Sequence, residues 1–235
     1  MDDFNGIGIS RHLDWPRVSH LLRIGLFGAL LALAGNLILG WGVEDGLLAG
    51  LARMLPTYTG ASDGGLLAAA LLGLFGTAIQ ALSYFGTYQL MAERVPQLLH
   101  RYRAGIFGFM IFGACGFRVP ACALVFLAKH GIAEELLQQC ATYFMLPAFV
   151  LFWVFFLLLT VTQIQAFAKG MTPYPRRCWV FCPLVGMAAT VLANVFGNQP
   201  WANAISCAWV SVGNIWMFAG LLATMGPAGP PARLG

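Results

Sequence analysis

Six stretches of this chain, roughly 18–41, 64–91, 104–128, 138–168, 178–197 and 202–225, are long, apolar and almost free of charge. A helix rises 1.5 Å per residue, so about 20 such residues match the roughly 30 Å hydrocarbon core of a bilayer. A water-soluble domain carries roughly 25% charged residues. Here only 9% of 235 residues are charged, against 59% hydrophobic. That is too few to clothe a globule in water, and lipid is the solvent the sequence fits. The expected fold is all-α, a polytopic transmembrane helix bundle of about six spans. One transmembrane domain is expected over 18–225, after a cytoplasmic segment 1–17 and before a Pro/Gly-rich disordered tail, GPAGPPARLG, over 226–235.

Two features bear on the span count. The fourth stretch, with PAFVLFWVFFLLLTV at its centre, is long enough to tilt or project, which leaves five or seven spans as alternatives. The fifth and sixth are joined by Gly197-Asn198-Gln199-Pro200, a turn suited to an antiparallel hairpin. Ala32-Leu33-Ala34 resembles a signal-peptide cleavage site, but the apolar run continues past it to Trp41. The loop 42–63 is the longest external connection, with a short interfacial helix expected around Leu47–Leu55.

Six spans place both termini on one side. Arg11, Arg17, Arg23, Arg94, Arg101, Arg103, Lys169, Arg176, Arg177 and Arg233 fall there, and only Arg53 and Lys129 fall opposite. This is the positive-inside pattern, so the termini are expected in the cytoplasm and the chain in the inner (plasma) membrane. The net charge of +4 is then an orientation signal, and nucleic acid is excluded as a partner.

Polar groups inside apolar spans are the places to look for function. Arg118, in FGACGFRVPAC, lies about 20 Å along the third span and must face the bundle, since lipid exposure costs at least ~2.5 kcal/mol. Its neighbours one turn away, Ala114, Cys115, Ala121 and Cys122, are small, so the side chain has room to fold along its own helix. Pro120 frees the Gly116 carbonyl as one acceptor, and Asp63, Glu134 or Glu135 are candidate ion-pair partners. Asn36 and Asn194 sit at similar depth, and with Arg118 and Asn203 they are expected to form a polar pocket open to the outside. The second span carries Gly73, Gly76/Thr77, Gln80, Ser83/Tyr84 and Thr87/Tyr88 on one face; the sixth carries Asn203, Ser206/Cys207, Ser211 and Asn214. Such faces either pack helix on helix or line a cavity. The candidate ligand-binding residues are therefore Asn36, Gln80, Arg118, Asn194, Asn203 and Asn214.

No catalytic residues, metal ligands or cofactors are expected. His12, His20, His100 and His130 lie near span ends without paired spacing, and Cys178 and Cys182 have no acid or His nearby to complete a metal set. Cys115, Cys122, Cys140 and Cys207 also sit in apolar stretches, as small hydrophobes do, and no disulfide framework is expected. No nucleophile elbow, phosphate loop or dinucleotide fingerprint occurs. The Gly105/Gly108 and Gly113/Gly116 pairs are helix-packing devices.

The stretch from LFGALLALAGNLILGWG through SDGGLLAAALLGLFGTAIQALSYFGTYQLM resembles an uncharacterised, mainly bacterial family of six-span membrane proteins, known only as a domain of unknown function. The resemblance covers roughly the first half of the chain. It implies the six-helix topology and no activity. It also implies an acid near the position of Asn36 and a His late in the third span of relatives, where this chain has Asn36 and Arg118.

Three readings follow. The chain binds or moves a small or lipid-like molecule through the outward polar pocket. It is a structural or accessory subunit recognised through its small-residue faces. Or it is a membrane-embedded enzyme. The expected partners are membrane lipid, a small-molecule or lipid ligand, and a membrane-protein partner or second copy.

Overall fold

The structure, a computed structural model, describes residues 13–45, 50–92 and 96–225, the side chains of 50–54, Pro96 and Asn194 aside. The tail expected over 226–235 and the segment 1–12 lie outside the described residues. Within them the chain is helical, with no strand. Helix α1 spans Trp15–Gly40, capped by Asp14, whose carboxylate accepts from the Arg17 N–H at 3.0 Å, with Pro16 in the first turn. A short helix, α2, Gly50–Thr59, lies in the loop where one was expected around 47–55; residues 46–49 lie outside the described residues. Helix α3 spans Asp63–Ala92.

The third span is continuous from Gln97 to Lys129 but not uniformly α. It runs as α4 (Pro96–Gly108), a ten-residue π-helical segment (Phe109–Arg118) and α5 (Val119–Lys129). The fourth runs as α6 (Glu134–Cys140), a π turn (Ala141–Met145) and α7 (Leu146–Ala168). Both π segments end two residues before a proline, Pro120 and Pro147. A proline has no N–H to give the carbonyl four residues back, and a widened turn upstream absorbs that loss.

These helices, with α1 and α3, make four long and apolar enough to cross a membrane. The remaining quarter of the chain is more broken. A 3₁₀ turn (Arg176–Val180) precedes α8 (Pro183–Val191), which tightens into a second 3₁₀ turn (Leu192–Phe196). The stretch expected as one span over 178–197 is thus a nine-residue α-helix between 3₁₀ turns, because Pro183 restarts the hydrogen-bond ladder. After Gly197 (φ +70°), α9 (Pro200–Cys207) and α10 (Trp209–Ala223) meet at a 66° bend about Ala208; taken as one span they raise the count to five.

Glycines set the closest approaches. A Cβ on Gly76 would lie 2.6 Å from the Ala32 nitrogen and 2.7 Å from the Gly28 carbonyl oxygen. The α1–α3 seam is therefore backbone against backbone, the small-residue packing of apolar helices. Gly105 and Gly108 meet Leu159 and Phe155 of α7, as expected of packing devices, and Gly186 and Gly213 do the same between α8 and α10. The core is aromatic: Tyr84, Phe109, Phe152, Phe156 and Phe218 pack with centroids 5.6–5.8 Å apart, Phe152 and Phe156 stacked and the other pairs tilted or edge-on. Phe27, Leu67, Phe75, Leu82 and Val154 point outward, giving an apolar exterior compatible with lipid.

Hydrogen bonds mark two ends. At one, the Glu44 N–H donates to the Asn198 side-chain oxygen (2.8 Å), the Asn198 amide returns a bond to the Glu44 carbonyl (2.7 Å), and Lys129 pairs with Asp63 (2.8 Å). At the other, Trp15 packs on Tyr174, whose hydroxyl donates to the Leu221 carbonyl (3.1 Å).

Candidate functional site

The α1–α3 seam places Gly73 opposite the π segment, and Arg118 crosses the gap this glycine leaves. A Cβ at residue 73 would stand 2.0 Å from the Arg118 Nε and 2.7 Å from its Cδ. The guanidinium then reaches α3 and α1 together. Its Nε and Nη2 donate to the Ala69 carbonyl (3.1 and 2.9 Å), and its Nη1 donates to the Asn36 side-chain oxygen. The expectation that Arg118 folds along its own helix toward the Gly116 carbonyl is corrected: Gly73 and Gly35 open a path across the interface that the local route cannot match. An ion pair with Asp63 is corrected too, since Asp63 is held by Lys129 and His130. Every described acceptor of the guanidinium is a neutral oxygen.

The network continues into α10. The Asn36 amide donates to the Ser211 hydroxyl at 3.0 Å. One turn on, fully buried Asn214 accepts from the Tyr84 hydroxyl and donates to Gln80, whose own amide donates to the Gly28 carbonyl at 3.2 Å. Each amide thus gives and receives, which is what makes buried polar groups tolerable in apolar surroundings. Beside this network lies a cavity of about 90 Å³. Asn36, Thr77, Gln80, Arg118, Cys207 and Ser211 supply its polar lining, and Phe109, Phe117, Phe152 and Trp209 its aromatic lining.

Of the residues expected at the site, the structure brings Asn36, Arg118 and Gln80 to one cavity and ties Asn214 to it through Gln80. Asn203 is elsewhere: its amide donates to the Gly42 carbonyl (2.9 Å) and the Asn198 oxygen (2.8 Å), fastening the hairpin to the end of α1. The bend at Ala208 is the reason, because it takes α9 out of register with Ser211 and Asn214. Asn194 belongs to the second 3₁₀ turn, and its side chain lies outside the described residues.

Two cavity neighbours carried no signal in the sequence. Tyr58, on α2, lies 3.3 Å from the Cys207 sulfur through its hydroxyl. Burial, and then Cys207 itself, push that hydroxyl far above the usual tyrosine value, so it stays protonated. Gly42 lets α2 lie this close, for a Cβ there would stand 2.4 Å from the Thr57 oxygen. Trp209 is the other, placed at the cavity by the bend. Among the described residues no three His, Cys, Asp or Glu side chains gather as metal donors.

The fold and site define an all-α bundle compatible with a multi-pass membrane protein, built around a buried arginine–amide network. The chain belongs to the family of unknown function DUF6796, whose family model matches residues 1–226. The match extends well beyond the first half of the chain, where the resemblance was legible. No curated protein and no solved structure matches the chain.

Proposed function

We propose that this chain is a six-span protein of a bacterial inner membrane, both termini cytoplasmic, that binds and moves a small molecule through an outward-opening cavity at Arg118. One observation carries the binding reading: a guanidinium whose described partners are all neutral oxygens lines a cavity of about 90 Å³. An arginine kept for structure alone is best served by a carboxylate or by filled packing. A cation with neutral partners and an adjoining cavity is a receptor for negative charge.

The six-span reading is supported by the hairpin. The chain leaves the end where Tyr174 meets Leu221, passes Gly213 at Pro183, and reaches the end where Asn198 meets Glu44. A pass that short is accommodated by local thinning of the bilayer. Arg17, Arg23, Arg101, Arg103, Lys169, Arg176 and Arg177 then share one side, and the Asn198 end is outside. The small-residue seams are closed within the chain, which favours ligand binding over recognition of a partner through those faces.

Native mass spectrometry in mild detergent tests the reading. The wild-type chain is expected to retain a small bound species, and Arg118→Met, which keeps bulk and removes charge, to lose it by about tenfold or more in the molecules that stay folded. Equal retention by both proteins overturns it.

A further inference from the structure

A second hollow lies against the first. It holds about 450 Å³, opens on the side of the bundle between α7 and the α8–α9 region, and is lined by Phe149, Trp153, Met187, Ala188, Val191 and Trp209, with Thr190 and Ser206 as its polar part; the Thr190 hydroxyl donates to the Met187 carbonyl at 2.7 Å. That volume falls within the range of ligand pockets, about 300–1,000 Å³. Trp209 lines both hollows, so its ring is the partition between a lateral apolar groove and the polar cavity of Arg118. It stacks on Trp153 at 4.8 Å and 5° and stands at the first residue of α10, directly after the 66° bend. Broken helices of this kind line ligand sites in membrane transporters. The first turn of α10, Trp209–Ser211, lines the cavity, so the positive end of its dipole and Arg118 act in the same sense.

We propose that the ligand is a single-chain carboxylate amphiphile, its acyl chain in the lateral groove and its carboxylate on Arg118, entering from the lipid past Trp209. This deepens the cavity reading and rests on it. The occupant follows from three features. The groove is lateral and mainly apolar, with aromatic and aliphatic side chains over most of its wall, which suits a hydrocarbon chain arriving from the bilayer. The cavity is small, about 90 Å³, which suits a carboxylate and excludes a phosphoglycerol head with two chains. The guanidinium gives three of its five N–H groups to Ala69 and Asn36, which leaves one N–H on each terminal nitrogen for a carboxylate.

The test measures quenching of tryptophan emission by brominated hexadecanoate and brominated hexadecanol, with the full chain in phosphatidylcholine nanodiscs. In parallel, acetate is assayed for protection of Cys207 against alkylation. The acid is expected to bind about tenfold more tightly than the alcohol, and Arg118→Met to erase that preference. Ala188→Trp, which fills the groove from its exposed side, is expected to weaken the acid by about tenfold and leave acetate protection intact. Equal binding of acid and alcohol to the wild type, or an Ala188→Trp protein with unchanged acid affinity, overturns the amphiphile while acetate protection keeps the cavity reading standing. Loss of neither acid binding nor acetate protection in Arg118→Met overturns both. Displacement of the bound acid by the two-chain phosphatidylglycerol at equal concentration also counts against a single-chain ligand.

Discussion

At the scale of residues, the site depends on a side chain that is absent. Gly73→Ala puts a methyl group into the Arg118 stem, and the guanidinium must leave Ala69 and Asn36 to make room. The expected cost is about 1–3 kcal/mol in detergent unfolding. Most of it should vanish when Arg118→Ala is added, a coupling that would be missing if Gly73 mattered only for the α1–α3 seam. Asn214→Leu should lower stability by about 1–3 kcal/mol, since it leaves Gln80 and the Tyr84 hydroxyl buried without their partner. Tyr84→Phe, which removes one end of the chain of bonds, should be milder in the same assay. Much of this network was legible as composition: Asn36, Gln80, Arg118 and Asn214 are polar groups in apolar runs, and such groups find one another. Which of them pair was not legible. Arg118 could reach several acceptors by spacing alone, and only the void at Gly73 selects Ala69 and Asn36.

At the scale of elements, two local rules decide what periodicity cannot. The polar stripe on α3 is continuous because an unbroken helix keeps its faces, and the reading of Gly73, Gln80 and Tyr84 as one side survives in the structure. The matching stripe on the sixth stretch does not survive, because the bend at Ala208 sends Asn203 to the end of α1 and Ser211 and Asn214 to the core. Nothing in the composition around Ala208 announces that bend. The π segment was equally invisible, although Pro120 is its cause. Pro120→Ala restores the missing N–H, and the segment 109–118 is expected to tighten toward α geometry and turn Arg118 away from Asn36. The predicted readout is loss of ligand retention with thermal stability equal to or above wild type; retention at the wild-type level would mean that the widened turn does not aim Arg118. Gly76→Val should be far more damaging, at least about 2 kcal/mol, because the atoms it meets are backbone and cannot move aside.

For the whole molecule, the central claim is a polar cavity inside an apolar bundle, open to the outside. Long charge-free runs made the helical bundle legible from the sequence alone. The broken stretch 178–197 was less so, since a nine-residue α-helix flanked by 3₁₀ turns reads in sequence like an ordinary span. A native thiol reports on the claim directly. Cys207 lines the cavity beneath Tyr58, and with the other five cysteines replaced it can be treated with a membrane-impermeant, charged thiol reagent in sealed vesicles of known orientation. Labelling from the face that carries Asn198 and Glu44, faster in Tyr58→Phe and slowed by a bound carboxylate, is the expected result. Labelling solely from the face that carries Tyr174, or by lipid-soluble reagents alone, contradicts it.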